Sequence, residues 1–154
     1  LNIYKGKLNN EIRYQILSQS KACGVCIGLP QIHIGCIAVY QGSIIGIGCN
    51  TNKTHPIQKY YNSYRTDDDD FDSADTLLPK LHAEINCINS IRHMNINFAK
   101  VKLYIYRLRN DDRPYGISRP CPSCMAAIKD LGIREIHYTT NDGFATEFLE
   151  NKYI

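Results

Sequence analysis

Residues 9 to 21, NNEIRYQILSQSK, space Ile12, Ile16 and Leu17 along one helical face, and Asn9 or Asn10 is available as an N-cap. Two apolar β-type runs follow, IHIGCIAVY and SIIGIGC, separated by the turn pair Gln41-Gly42. Their near-continuous apolar character predicts strands covered on both faces. From Thr51 to about Lys80 the periodicity is lost, and Pro56, an acidic run and Pro79 punctuate a long loop or insertion. Helical spacing returns in LHAEINCINSIRHM through Leu81, Ile85, Ile88 and Ile91, in a helix that begins near His82.

Beyond it, KVKLYIYRL alternates as a strand and RNDDRPYGISRP reads as loop. CPSCMAAIKDLG reads as a helix with Gly132 as its C-cap, and REIHYTT as a fourth strand. GFATEFLEN is expected to form a short last helix. The resulting order, α, β, β, α, β, α, β, α, predicts the α/β class: a mixed sheet of four to five strands inside a three-layer α/β/α sandwich. At 154 residues the chain fits one domain, 1–154, with the insertion at about 51–80.

Composition adds limits. Hydrophobic residues at 44% and charged residues at 21% suit a globular protein and exclude a chain disordered throughout. There is no apolar run of about 18 residues, and the start lacks the apolar middle of a secretory signal, so a cytoplasmic protein without a membrane partner is expected. The chain starts without Met, which points to processing or trimming. A formal net charge of +3 permits a phosphate-bearing partner but falls short of a dedicated duplex-DNA binder. Asp67 to Asp70 with Asp72 and Asp75 concentrate acid in the insertion and leave the rest more basic.

Seven cysteines, an odd number, argue for metal ligands or buried thiols before a disulfide framework. Cys23, Cys26, Cys36, Cys49 and Cys87 mostly lie beside apolar residues, as buried free thiols do. Cys121 and Cys124 stand apart in Pro120-Cys121-Pro122-Ser123-Cys124, at the start of one predicted helix, while His82-Ala83-Glu84 opens another. Helices linked through a strand can bring those two starts together. One imidazole and two thiolates then supply three zinc ligands and leave a fourth tetrahedral position for water. Helix N-termini carry partial positive charge, which favours thiolates and a developing hydroxide. Glu84, two residues past His82, can face the same pocket without ligating the ion and move protons.

His-x-Glu followed by Pro-Cys-x-x-Cys is the general signature of zinc-dependent nucleobase deaminases. The alternative is a closed structural zinc site completed by a further ligand such as Cys87, which would leave Glu84 idle. From the first helix to the last strand, the chain resembles the cytidine deaminase superfamily. His82-Ala83-Glu84-Ile85-Asn86-Cys87-Ile88 is similar to the His-Ala-Glu-x-Asn-Ala-Ile form of its deoxycytidylate-type members, with Cys87 in place of Ala. Gly132-Ile133-Arg134-Glu135-Ile136 with Tyr138 fits the same group, and Gly46 to Asn50 resembles its strand end.

The resemblance implies a cytidine deaminase-like fold, one catalytic Zn²⁺ held by His82, Cys121 and Cys124, and hydrolysis of a C–N bond of a cyclic amidine. It implies that the Ala83 N–H meets the base carbonyl and that the Arg119 carbonyl receives the exocyclic amine. Asn50 and Tyr138 are further substrate-binding candidates; the alternatives are a turn residue ending a strand for Asn50 and core or strand packing for Tyr138. Free-nucleotide members commonly assemble, so a homo-oligomer is among the expected partners. A few deoxycytidylate-type members bind additional zinc, which makes Cys23-Gly24-Val25-Cys26 a second candidate site that lacks a completing pair.

Substrate size stays open. The loop from Arg107 to Arg119 carries Arg107, Arg109, Arg113 and Arg119, and the insertion carries Lys53, His55, Lys59, Tyr60, Tyr61, Tyr64 and Arg65. Cations interleaved with aromatics suit single-stranded DNA or RNA, but they equally suit one nucleotide. The readings are therefore a deaminase of a free cytosine nucleotide such as dCMP, a deaminase of cytosine (or adenine) within a single strand, and a catalytically silent zinc-containing nucleic-acid-binding module.

Overall fold

The first strands form as their pattern predicts: β1, His33–Tyr40, pairs antiparallel with β2, Ser43–Cys49. Gln41 and Gly42 between them take φ of 50° and 78°, the double positive φ of a two-residue turn whose twist matches the flanking strands. The computed structural model describes Tyr14, Leu17, Ser18 and residues 33–51, 53–64, 80–108 and 117–150. Cys23, Cys26, the Asp67 to Asp70 run, Arg109, Arg113 and most of the predicted 9–21 helix lie outside these residues, although Tyr14, Leu17 and Ser18 are helical.

Three more strands, β3 (Lys102–Leu108), β4 (Glu135–Thr140) and β5 (Gly143–Phe148), complete a five-stranded mixed sheet in the order β2-β1-β3-β4-β5. β1 and β3 are antiparallel, with Cys36 opposite Ile105, whereas β3 and β4 are parallel, with Ile105 opposite Tyr138. A parallel pair needs a crossover. The helix at Pro122–Leu131 provides it and ends where predicted, with Gly132 in the left-handed conformation at φ 101°.

Alternation divides the core between two faces. Cys36, Ala38, Leu103 and Ile105 pack with the helices Ala83–Ile91 and Pro122–Leu131, while Ile37, Val39 and Tyr104 pack with Tyr14 and Leu17 on the opposite side. The run of β1 is thus apolar because both its faces are covered. On the edge strand β2, Ile47 stays 45% exposed, so the same expectation holds there only in part. No helix among the described residues is long and apolar enough to cross a membrane.

Two expectations fail. Residues 143–148 form a strand and not a last helix. Phe144 and Phe148 have helical spacing, but the Asn141-Asp142 turn sends the chain back along β4, from Thr140 opposite Gly143 to Glu135 opposite Phe148. Pairing the bare edge of β4 outweighs a short amphipathic pattern, and Phe148 is left 72% exposed. The second failure lies in the insertion, where Pro56–Asn62 is a helix, α1, with Pro at its first turn and the His55 ring nitrogen accepting from the Ile57 N–H at 3.1 Å. The helices Ala83–Ile91 and Pro122–Leu131 are α2 and α3. α2 ends at Ile91, the last position of the predicted spacing, and the Met94 N–H folds back onto the Ile91 carbonyl.

α2 lies directly on β2 because β2 has no side chain at two positions. A Cβ on Gly46 would come within 2.5 Å of Ile91, and one on Gly48 would overlap the Cys87 nitrogen and the Ala83 carbonyl oxygen. Gly48→Ala is therefore expected to push the start of α2 off the sheet. The expected cost is about 1–3 kcal/mol, which for a domain of this size lowers Tm by roughly 2–4 °C per kcal/mol. An unchanged melting curve by circular dichroism would contradict this packing.

Candidate metal centre

The helices α2 and α3 open on residues that do not cap them. His82 is the N-cap of α2 (φ −79°, ψ 156°) and Cys121 the N-cap of α3 (φ −66°, ψ 167°), and neither side chain makes a capping hydrogen bond. Both side chains turn instead to a common point. His82 Nδ1 lies 3.5 Å from Cys121 Sγ and 3.3 Å from Cys124 Sγ, and the three atoms all lie within 4.8 Å of one another. A tetrahedral ion with bonds of about 2.0 Å to nitrogen and 2.3 Å to sulfur holds such atoms about 3.6 Å apart. The donor set and its spacing therefore fit zinc. Among the described residues, it is the one such cluster of three.

The surroundings push the two thiols in opposite directions. Cys121 is drawn down to about 2, chiefly by the hydrogen bond from Cys124 and then by His82. Burial pushes Cys124 well above the ordinary thiol range. A zinc ion held here would need both sulfurs as thiolates, a state toward which Cys121 is already drawn and which Cys124 would reach by losing its proton. Glu84, in the first turn of α2, is 4% exposed. Burial raises its carboxyl, and its side chain hydrogen-bonds Cys124. Cys87, the alternative fourth ligand, lies outside the cluster, fully buried, with its side chain hydrogen-bonded to Cys36.

The other expected site residues have partners of their own. Ala83 is buried at the first position of α2. Asn50, just after β2, accepts the Ile34 N–H on its side-chain oxygen at 3.0 Å. Arg119 makes a paired contact with Glu147, from Nε at 3.0 Å and Nη2 at 2.9 Å, and Tyr138 donates to the same carboxylate at 3.1 Å. Arg119 holds Glu147 below the usual carboxylate range, whereas burial and then Glu147 raise Tyr138. β5 supplies Glu147, so the strand mistaken for a helix carries the shared partner of Arg119 and Tyr138.

Two supporting residues escape the motifs. Gln58 of α1 is fully buried and accepts the His82 N–H at 3.0 Å. Ser118 joins the ends of β3 and β4: its hydroxyl donates to the Ile105 carbonyl at 3.0 Å and accepts from the Thr139 N–H and hydroxyl, each at 2.8 Å. This fixes the chain three residues before Cys121. Gln58 gave no apolar periodicity to follow; Ser118 could have been noticed only as a small polar residue leading into the cysteine motif.

A family model described as the cytidine and deoxycytidylate deaminase zinc-binding region matches residues 11–140. Among solved structures, the chain is similar to the dCMP deaminase of cyanophage S-TIM5 in complex with dCMP and dUMP. The TM-score is 0.54 and the identity 20%, over 86% of this chain and 82% of that one. The apo form of that enzyme gives a TM-score of 0.47 at 19% identity, over 82% of each chain. Comparison with curated proteins found no match.

Removing the Ser118 hydroxyl leaves the groups it joins at Ile105 and Thr139 short of a buried partner. Ser118→Ala is expected to cost about 1–3 kcal/mol, read as a lower denaturation midpoint in urea with an unchanged slope. A midpoint equal to that of the parent protein would remove Ser118 from the support of this centre.

Proposed function

The chain belongs to the cytidine and deoxycytidylate deaminase family, and from this premise we propose that it converts cytosine to uracil on a free (deoxy)cytidine nucleotide, with dCMP as its preferred substrate. The observation that carries this reading is the meeting of His82, Cys121 and Cys124 beside the buried carboxyl of Glu84. In the proposal these three residues hold one zinc ion. When bound, zinc supplies a water acidified toward neutral pH, the nucleophile for the base.

Glu84 moves the protons. It takes one from the attacking water and delivers it to the ring nitrogen. It then carries a second from the added hydroxyl to the amine, which leaves as ammonia while the ring carbon keeps the oxygen as a carbonyl. A carboxyl whose affinity for protons is raised by burial suits both halves of this transfer. Ala83 N–H is proposed to receive the base carbonyl and the Arg119 carbonyl the exocyclic amine, with Asn50 and Tyr138 bordering the sugar or base.

A nucleotide of monophosphate size is supported by the phage dCMP deaminase of similar fold, which was captured with dCMP and dUMP. A second reading, cytosine within a single strand, draws support from the exposed rings of Tyr60 and Tyr64, at 61% and 47%, which offer stacking surface for bases.

Incubation with dCMP, CMP, cytidine and a cytosine-containing oligonucleotide, followed by assay of ammonia and uracil, is expected to give fastest turnover on dCMP. Uracil in the oligonucleotide alone would replace the first reading with the second, and bound zinc without product anywhere would favour a silent binding module. Glu84→Gln is expected to keep zinc and lose turnover by roughly 10²–10⁴-fold; full activity in that variant would sink the proton-transfer role.

A further inference from the structure

α1 buries one residue fully, and it is polar. Along Pro56–Asn62 the lysine and Tyr60 face solvent, while Gln58 is 0% exposed. A carboxamide loses free energy on burial unless its groups find partners. Gln58 finds two: its oxygen accepts the His82 N–H at 3.0 Å, and its nitrogen donates to the Asn62 side-chain oxygen at 2.9 Å.

The N–H of an N-cap residue has no acceptor within its own helix. Some helices meet this need with Glu or Gln at the third helical position, which reaches back to it. In α2 that position is Ile85, which has no acceptor to offer. The His82 side chain is committed to the two cysteines. Gln58, 24 residues earlier, supplies the missing acceptor from another helix. The chain just before His82 is tied to the segment just before α1: Thr54 pairs with Lys80, the Leu81 N–H meets the Lys53 carbonyl, and the Thr51 N–H meets the Leu81 carbonyl. His82 is thus held by its backbone at the point from which its ring reaches Cys121 and Cys124.

We propose that Gln58 is a positioning residue for the metal centre, so that α1 holds His82 in ligating orientation from outside the His-x-Glu motif. This rests on the zinc reading above. Loss of the hydrogen-bonded partners behind a metal ligand typically weakens metal affinity by about 10–100-fold. Gln58→Leu, similar in size but without an acceptor, is expected to weaken zinc retention by about that factor in competition with a chelator. It should also lower kcat on dCMP about tenfold or more, with KM within about twofold.

Gln58→Glu keeps an acceptor oxygen and is expected to restore zinc retention to within a few-fold of the parent. Gln58→Met serves if the leucine variant does not fold. Val101→Ala, a buried core residue just before β3 and outside the metal cluster, is expected to lower Tm without changing zinc retention. Parental zinc retention in the Leu or Met variant would overturn the proposal, as would equal defects in the Leu and Glu variants. Zinc retention is read without substrate, so a parent protein that holds zinc but does not deaminate dCMP would defeat the substrate reading and leave this test intact. A parent that holds no zinc would defeat the zinc reading itself.

Discussion

Two helices in this chain must begin at the same place, with N-cap side chains that serve something other than the helix. α2 opens on His82 and α3 on Cys121, and the atoms that would ordinarily satisfy the first turns face each other across about 3.5 Å. The rest of the architecture answers this constraint. The glycines of β2 let α2 lie against the sheet, and the parallel pairing of β3 with β4 makes α3 a crossover whose start lies beside that of α2. The partial positive charge of both helix starts then falls on a cluster that needs anionic sulfur.

Such a centre cannot be stabilised by apolar packing alone, because its backbone groups still need partners. The core behind it is conventional, with Ile85, Ile88, Ile91, Leu103 and Ile105 buried together. Nearer the centre, polar side chains take over: Gln58 on His82, Ser118 between β3 and β4, Asn50 at the start of β1, and Asn86 donating to the Cys49 carbonyl at 3.0 Å. Each joins segments far apart in sequence. A hydrogen bond has direction where packing does not, which suits the aiming of ligands.

The contacts of Arg119 follow a different logic. Arg119, Glu147 and Tyr138 form a partly exposed charged and hydroxyl network at the edge of the sheet. Pairs this accessible to water add little stability, but they fix where the segment before Cys121 passes. The substrate contacts proposed for this region therefore depend on β5, the last described strand, as much as on the motif itself.

The two motifs, the strand runs of β1 and β3, the Gln41-Gly42 turn and the Gly132 cap were legible in the sequence because each is local: periodicity, turn chemistry and ligand type act over a few residues. That Cys87 stays out of the cluster was decided by tertiary structure, since it depends on which face of α2 turns to Cys121 and Cys124. The same holds for β5, where a helical spacing yielded to the unpaired edge of β4, and for α1, whose buried face is polar and so leaves no apolar period. Gln58 and Ser118 were hidden for a related reason, because their partners lie 24 and 21 residues away. The sequence by itself determined the candidate ligand set and the carboxylate proposed to move protons; the tertiary structure decided what holds them, because a hydrogen bond between distant segments has no signature until the chain has folded.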